Sequence, residues 1–227
     1  MGQAWWVGDC GPFWGHNALV RIRPFTEQCE LPMLPGKPPL GGHVLSHDQV
    51  EATLMRRAGY EVRVLPEERG SWEENPPTML DFAQRDVRWC QGNMQYTKLL
   101  NLPGLYPMSR FQLVWAILMF LGLPAWTLSD MTNYPVSLAI GLYVTFFAMY
   151  LMPKIAGLLD AMLTKGGVAR YGGWIRFVFG AALELVFSFL QGAVSTIRTS
   201  IFMIGLAFGK SVIWGGQSRD AKGLSWI

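Results

Sequence analysis

The sequence lacks the motifs by which several common enzyme classes are identified. It has no HExxH zinc motif, and no GxGxxG or Walker pattern that would cradle a phosphate. A GxSxG nucleophile elbow is also missing, so the adjacent Ser46, His47 and Asp48 do not indicate a hydrolase triad. His16 and His43 lie in the same part of the chain, but we expect no metal site in this protein.

Cysteine and excess charge are scarce as well. The three cysteines, Cys10, Cys29 and Cys90, are odd in number and have no CxxC spacing, which predicts free thiols in a reducing compartment. The net charge is only +3, and the basic residues form no cluster, which excludes a typical nucleic-acid binder.

What the sequence does contain is divided unevenly along its 227 residues. Residues 1–110 hold 11 Lys/Arg and 12 Asp/Glu, whereas residues 111–227 hold 8 and 4 and carry the long apolar runs. This shift predicts a partial cytoplasmic domain over residues 1–110, membrane-spanning or interfacial helices over 111–214, and a cytoplasmic tail over 215–227.

Two runs are long enough to cross a bilayer. Phe111–Leu128 has 18 residues and Val136–Met152 has 17, all uncharged. The connection between them holds no Lys or Arg, whereas the chain after the second run is basic. The positive-inside rule therefore predicts a membrane protein with residues 1–110 and 153–176 cytoplasmic and 129–135 outside. Two buried helices of a soluble protein are the alternative, and the number of spans after residue 176 stays open.

The first 110 residues indicate an α/β arrangement. Residues 18–22 and 61–65 have the pattern of short strands. Ser46 and Gln49 form a possible capping box before a helix that Gly59 would end, and Thr78 and Asp81 suggest a second helix running to about residue 100.

Asp48 and the pair Arg88–Trp89 are the residues whose chemistry suggests sugar transfer. An inverting glycosyl transfer needs a carboxylate that accepts the acceptor's hydroxyl proton, and an Asp in the first turn of a helix tends to stay ionised. A guanidinium binds diphosphate oxygens in a bidentate way, and an indole offers a flat apolar face to a sugar ring. From spacing alone, the sequence favours an ordinary helix-dipole Asp and an ordinary amphipathic helix with an exposed Arg and a core Trp.

The stretch 177–214 carries a narrow polar stripe. Glu184, Gln191 and Arg198, with Ser188 and Ser195 between them, share one face of a 3.6-residue helix. The helix either lies in the membrane interface or crosses the bilayer with its stripe toward protein or a wet path.

Several segments together resemble the family 2 glycosyltransferases related to cellulose synthase, in particular those that build osmoregulated periplasmic glucans. The resemblance covers nearly the whole chain. Its most specific blocks are Trp-Gly-His-Asn-Ala at 14–18, Gly-Gly-His-Val-Leu-Ser-His-Asp at 41–48 and Arg-Asp-Val-Arg-Trp-Cys-Gln-Gly-Asn at 85–93.

The resemblance implies the acceptor-side half of a GT-A-like domain followed by membrane helices. It implies UDP-glucose as donor, a growing β-glucan as acceptor and the lipid bilayer of a bacterial inner membrane as surroundings. It also suggests that Glu184, Gln191 and Arg198 border the path of the glucan through the membrane. Asp48 matches the general base, and the other matched positions bind the acceptor or diphosphate; these are Asn17, Ala18, His47, Arg85, Arg88 and Trp89. Another β-glycan synthase, making cellulose, chitin or hyaluronan, and a non-catalytic membrane module serving a separate donor-binding chain are the alternatives.

The sequence departs from the family pattern in two places. The wider family writes its last motif Gln-x-x-Arg-Trp, whereas Arg85 stands at the first position here and Gln84 precedes it. The two Asp motifs that hold uridine and Mg²⁺ in the family are also missing. We therefore expect a C-terminal portion that binds no Mg²⁺ by itself, is inactive alone, and works with a missing N-terminal portion or a periplasmic glucan-processing protein.

Overall fold

The computed structural model describes residues 7–13, 15–65, 70, 73–74, 76, 78–128 and 136–212. Its helices are α1 (Ile22–Gln28), α2 (Asp48–Arg57), α3 (Met79–Gln95), α4 (Pro107–Leu128), α5 (Val136–Leu163), α6 (Gly167–Arg170) and α7 (Trp174–Ala207), with a 3₁₀ turn at Tyr96–Lys98. The predicted outer connection 129–135 and the tail 215–227 lie outside the described residues.

Within these ranges there is no β-strand, only single bridges between Cys10 and Val62 and between Leu34 and Gly42. In the strand predicted at 61–65, only Val62 forms a bridge, because the partner segment pairs with it through the single residue Cys10. The α/β part of the predicted fold is therefore not seen in the described residues, which are helical.

The strand predicted at 18–22 is wrong, because α1 begins at Ile22. Local interactions favour this helix. Arg23 donates to Glu27 one turn later at 2.9 Å, and the Thr26 hydroxyl bonds back to the Ile22 carbonyl oxygen. Pro24 lies in the first turn, where a missing backbone N–H costs no hydrogen bond.

The two helices predicted in this half of the chain are confirmed. Thr78 caps α3 by accepting from the backbone N–H of Asp81 at 3.1 Å, and Gly59 follows α2 with φ of 87°. The capping box at Ser46 and Gln49 does not form, because His47 occupies the cap position of α2 without a side-chain bond. Asp48 and Glu51 instead lie in the first turn, where the helix dipole favours a negative charge.

The chain forms two compact units, Met1–Thr127 with Arg198–Ile227, and Leu128–Ile197. The core of the first unit lies between the inner faces of α2, α3 and α4, and the end of α7 adds Leu206 to it. The most deeply buried side chains there are Val50, Leu54, Cys90, Tyr96, Leu99 and Leu113. This core fixes α2 and α3 against each other, and the candidate site depends on both.

The apolar runs form helices longer than predicted. Residues 111–128 belong to α4 and residues 136–152 to α5, which continues to Leu163, so Lys154 lies in a helix and not in a loop. Among the described residues, α7 is the helix long and apolar enough to cross a membrane. Its 34 residues rise about 50 Å, more than the bilayer core of about 30 Å requires.

Candidate active site

Asp48 opens α2 and lies against the loop that contains Asn17. Its side chain is 23% exposed, so the carboxylate reaches solvent while its backbone belongs to a packed helix. A Cβ atom on Gly15 would collide with this carboxylate, and Gly15 has φ of +73°, so the loop approaches it through a residue that has to be glycine. The structure thus brings together Asp48 and the segment that was predicted to lie under the acceptor sugar.

The rest of that loop is exposed. Asn17 adopts φ of 48°, a left-handed conformation that Asn tolerates better than most residues, and Ala18 follows it at the surface. His16 forms an ion pair with Glu73 through Nδ1 at 2.8 Å. The charge of Glu73 also opposes the lowering of the Arg85 pKa that burial causes.

His47 stands between two carboxylates. Its Nδ1 is 2.9 Å from Glu51 Oε1 and 3.5 Å from Asp48 Oδ1. The His47 side chain is 48% exposed, whereas that of Glu51 is 11% exposed. Burial raises the pKa of Glu51, and the contact with His47 opposes that shift.

The segment before Asp48 is held by residues at the end of α3 and just after it. The Gln95 side chain accepts from the Leu45 N–H and donates to the His43 carbonyl oxygen, and the Tyr96 hydroxyl donates to the Ser46 carbonyl oxygen at 2.8 Å. Gly92 packs directly on Ser46. Burial raises the pKa of Tyr96, so it stays a donor.

Arg85 and Trp89 stack on the outer part of α3. The Arg85 guanidinium lies 4.6 Å from the centre of the Trp89 ring, and burial lowers the Arg85 pKa. Trp89 packs partly against the core, Arg88 is half-buried, and Gln84 is exposed. Arg85, and not Gln84, is therefore the residue beside the tryptophan. The binding roles of Arg85, Arg88 and Trp89 stay predictions.

The rest of this motif supports the fold. Gln91 donates to the Pro39 carbonyl oxygen and accepts from the Val212 N–H, while Asn93 donates to the Ala116 carbonyl oxygen. Sequence reasoning missed these roles and those of Glu51, Gln95 and Tyr96. The one available signal was spacing, because His47 and Glu51 are four residues apart and face each other on a helix.

His47, Asp48 and Glu51 each place a possible ligand atom within 4.8 Å of the others. They do not fit the Mg²⁺ that the resemblance implies, because Mg²⁺ prefers oxygen ligands and Glu51 is already engaged by the imidazole. That the chain binds no metal by itself stays an expectation, and no chemical step below passes through a metal.

The predicted thiols and polar stripe can also be located. All three cysteines are free and buried, and burial raises the pKa of Cys29 to about 11 and of Cys90 to about 12.

In the polar stripe of α7, Glu184 contacts Lys154 of α5, and Ser188 also bonds to this lysine. Gln191 and Arg198 are half-buried, and a glucan path along them stays a prediction.

Comparison with known proteins shows the protein family to which the chain belongs. The profile described as glycosyl transferase family group 2 matches residues 3–163. The chain belongs to this family.

Individual proteins that are similar to the chain give a more specific comparison. The chain is similar to proteins named glucans biosynthesis glucosyltransferase H from Caulobacter vibrioides (37% identity over 97% of this chain and 38% of the relative) and Vibrio cholerae (35%, 96% and 34%). A protein of that name from Shewanella putrefaciens is 36% identical over 100% of this chain and 35% of its own length. The chain thus spans little more than a third of these relatives. No solved structure matches it significantly.

Proposed function

We propose that this chain forms the acceptor side of a membrane glucosyltransferase that transfers glucose from UDP-glucose to a growing β-glucan. One observation carries the proposal: the solvent-reaching carboxylate of Asp48 lies at a helix start, against the exposed loop 15–18. The family supports a nucleotide-sugar donor, and the names of the relatives support a glucan product.

Asp48 acts as the general base in this proposal. Its carboxylate takes the proton from an acceptor hydroxyl, whose oxygen attacks C1 of the donor glucose. The bond from C1 to the diphosphate breaks, UDP leaves with the electron pair, and the configuration at C1 inverts. Arg88 offers its guanidinium to the departing diphosphate, and Trp89 supports the acceptor ring beside the stacked Arg85.

The donor side requires residues from outside this chain. No Asp-x-Asp pair occurs in the 227 residues, so the acids that would bind uridine and Mg²⁺ are not among them. We infer that the chain alone does not transfer glucose. Purified chain should be inactive with UDP-glucose, whereas native membranes that contain it should be active; turnover by the purified chain would refute this part.

The membrane placement belongs to the same proposal. α7 provides a span, and its end packs in the same core as α2 and α3. Residues 1–110 therefore lie on the same side of the membrane as that end of α7, and the proposal places them in the cytoplasm, where UDP-glucose is found. The inner membrane of a bacterium is the setting that the relatives' source organisms support.

The test is Asp48→Asn introduced at the gene's own locus, with native membranes assayed for incorporation of labelled glucose. Removing a general base costs about 10²- to 10⁴-fold, so we expect at least a hundredfold loss while UDP binding is retained. Glu30→Gln, a carboxyl-to-amide change at an exposed position, should leave the rate unchanged. Unchanged turnover in Asp48→Asn would remove Asp48 from this role. A product that contains sugars other than glucose, or whose glucose units are not β-1,2-linked, would favour another β-glycan synthase.

A further inference from the structure

Glu51 is a buried carboxylate beside the proposed base, and the reaction above gives it no task. It lies one turn into α2, and its Oε1 is 2.9 Å from His47 Nδ1. Burying a carboxylate is costly unless it is hydrogen-bonded, and the His47 ring is the partner that the structure gives this side chain. The neighbouring Cys29 thiol donates to the Glu51 backbone carbonyl oxygen.

The position of Glu51 determines which nitrogen of His47 carries the hydrogen. Two carboxylate oxygens, from Glu51 and Asp48, flank Nδ1 at 2.9 and 3.5 Å. Both oxygens are acceptors, so the favoured tautomer has its hydrogen on Nδ1. Nε2 of the neutral ring then has a lone pair, and about half of the His47 side chain is exposed.

We propose that Glu51 is a positioning residue: it holds the His47 imidazole beside Asp48 with Nε2 as a hydrogen-bond acceptor for a hydroxyl of the acceptor sugar. This inference rests on the proposed function and refines it. A lone pair repels diphosphate oxygens, so His47 serves the acceptor and not the leaving group. Glu51 itself touches neither substrate.

The first test compares Glu51→Leu with Glu51→Gln in native membranes. Leucine removes the acceptor for Nδ1–H, whereas the glutamine amide oxygen preserves it. Since displacing a group near the reacting atoms costs up to about a hundredfold, we expect Glu51→Leu to lower kcat at least tenfold. The KM for UDP-glucose should stay within about twofold, and Glu51→Gln should recover most of the rate.

A double-mutant cycle separates positioning from mere support of the fold. If Glu51 acts through His47, Glu51→Leu should cost nothing further in a His47→Ala background. Additive losses, or a loss explained by a lower amount of chain in the membrane, would overturn the proposal.

A second pair of variants replaces His47. Because this side chain is half-exposed, neither substitution should disturb the hydrophobic core. Glutamine places its amide near the position of Nε2, whereas asparagine reaches only that of Nδ1. We expect His47→Gln to retain more activity than His47→Asn, and the reverse order or equal losses would contradict the proposal. If Asp48→Asn abolishes transfer while the Glu51 variants are normal, only this inference fails; if Asp48→Asn is fully active, the proposed function fails.

Discussion

The Tyr96 hydroxyl donates a hydrogen bond of 2.8 Å to the carbonyl oxygen of Ser46, two residues before Asp48. The ring is completely buried, so this bond anchors the base-bearing segment to the core. The segment that leads into α2 is therefore held in place by a residue that lies fifty positions later in the chain than Ser46.

Removing that hydroxyl should loosen the segment. Tyr96→Phe leaves the Ser46 carbonyl oxygen without this donor, which costs about 1–3 kcal/mol when the group cannot reach water. We expect the free energy of unfolding, measured by denaturation of the solubilised chain, to fall by that amount. The transfer rate in native membranes should fall with it. Tyr171→Phe is the matched control. The Tyr171 ring is exposed, so removing its hydroxyl should change neither the free energy of unfolding nor the transfer rate.

The contact between Gly92 and Ser46 gives a second prediction. A Cβ on Gly92 would lie 2.5 Å from Ser46 Cβ and 2.8 Å from its backbone nitrogen, so Gly92→Ala forces the two segments apart. Overpacking of this kind costs about 1–3 kcal/mol. Gly122→Ala, on α4 with open space around it, should be neutral or slightly stabilising. Equal stability of the two variants would show that α3 does not constrain Ser46.

Local signals in the sequence were sufficient to predict α2 and α3. The Thr78 cap and the left-handed Gly59 depend on residues a few positions away, and both were found. The strand expected at 18–22 failed because the Arg23–Glu27 pair and the Thr26 back-bond, equally local, favour a helix there.

The site could be predicted only as far as the resemblance reached. It indicated Asp48 and the loop at 15–18, and the structure brings these together. It did not indicate that Gln95 holds the backbone of residues 43 and 45, because that contact joins segments about fifty residues apart. No periodicity or spacing encodes which polar side chain in a buried helix bonds which distant carbonyl group.

Asp86 provides a prediction on pH. Burial raises its pKa, although the Thr199 hydroxyl at 3.3 Å and the charges of Arg85 and Arg198 oppose the shift. A carboxyl whose folded-state pKa is raised contributes stability that is fully present below its unfolded pKa and is lost as the pH rises through the folded one. Asp86→Asn should therefore stabilise the chain at neutral pH, and the gain should shrink on acidification to the unfolded pKa.

Thermal unfolding of the solubilised chain over a pH series measures this difference. The asparagine amide oxygen can still accept from Thr199, so the variant isolates the charge. Glu30→Gln is the exposed control and should leave the profile unchanged. A gain that grows on acidification would mean that the surrounding cations outweigh burial at Asp86.

The ion pair within the second unit gives the last prediction. Lys154 of α5 contacts Glu184 of α7 and lies 2.6 Å from the Ser188 hydroxyl, in helices that are mostly apolar. In a bilayer an unpaired charge costs about 2.5–3.5 kcal/mol at the centre of a helix, so Lys154→Met should lower the amount of chain recovered in the membrane fraction. Lys154→Met with Glu184→Gln should restore it, because the second change removes the stranded charge. Lys165→Met, in the exposed turn after α5, should have no effect. If the single and double variants are recovered equally, Glu184 has access to water, and that outcome would favour a wet path along the polar stripe over a contact that only joins two helices.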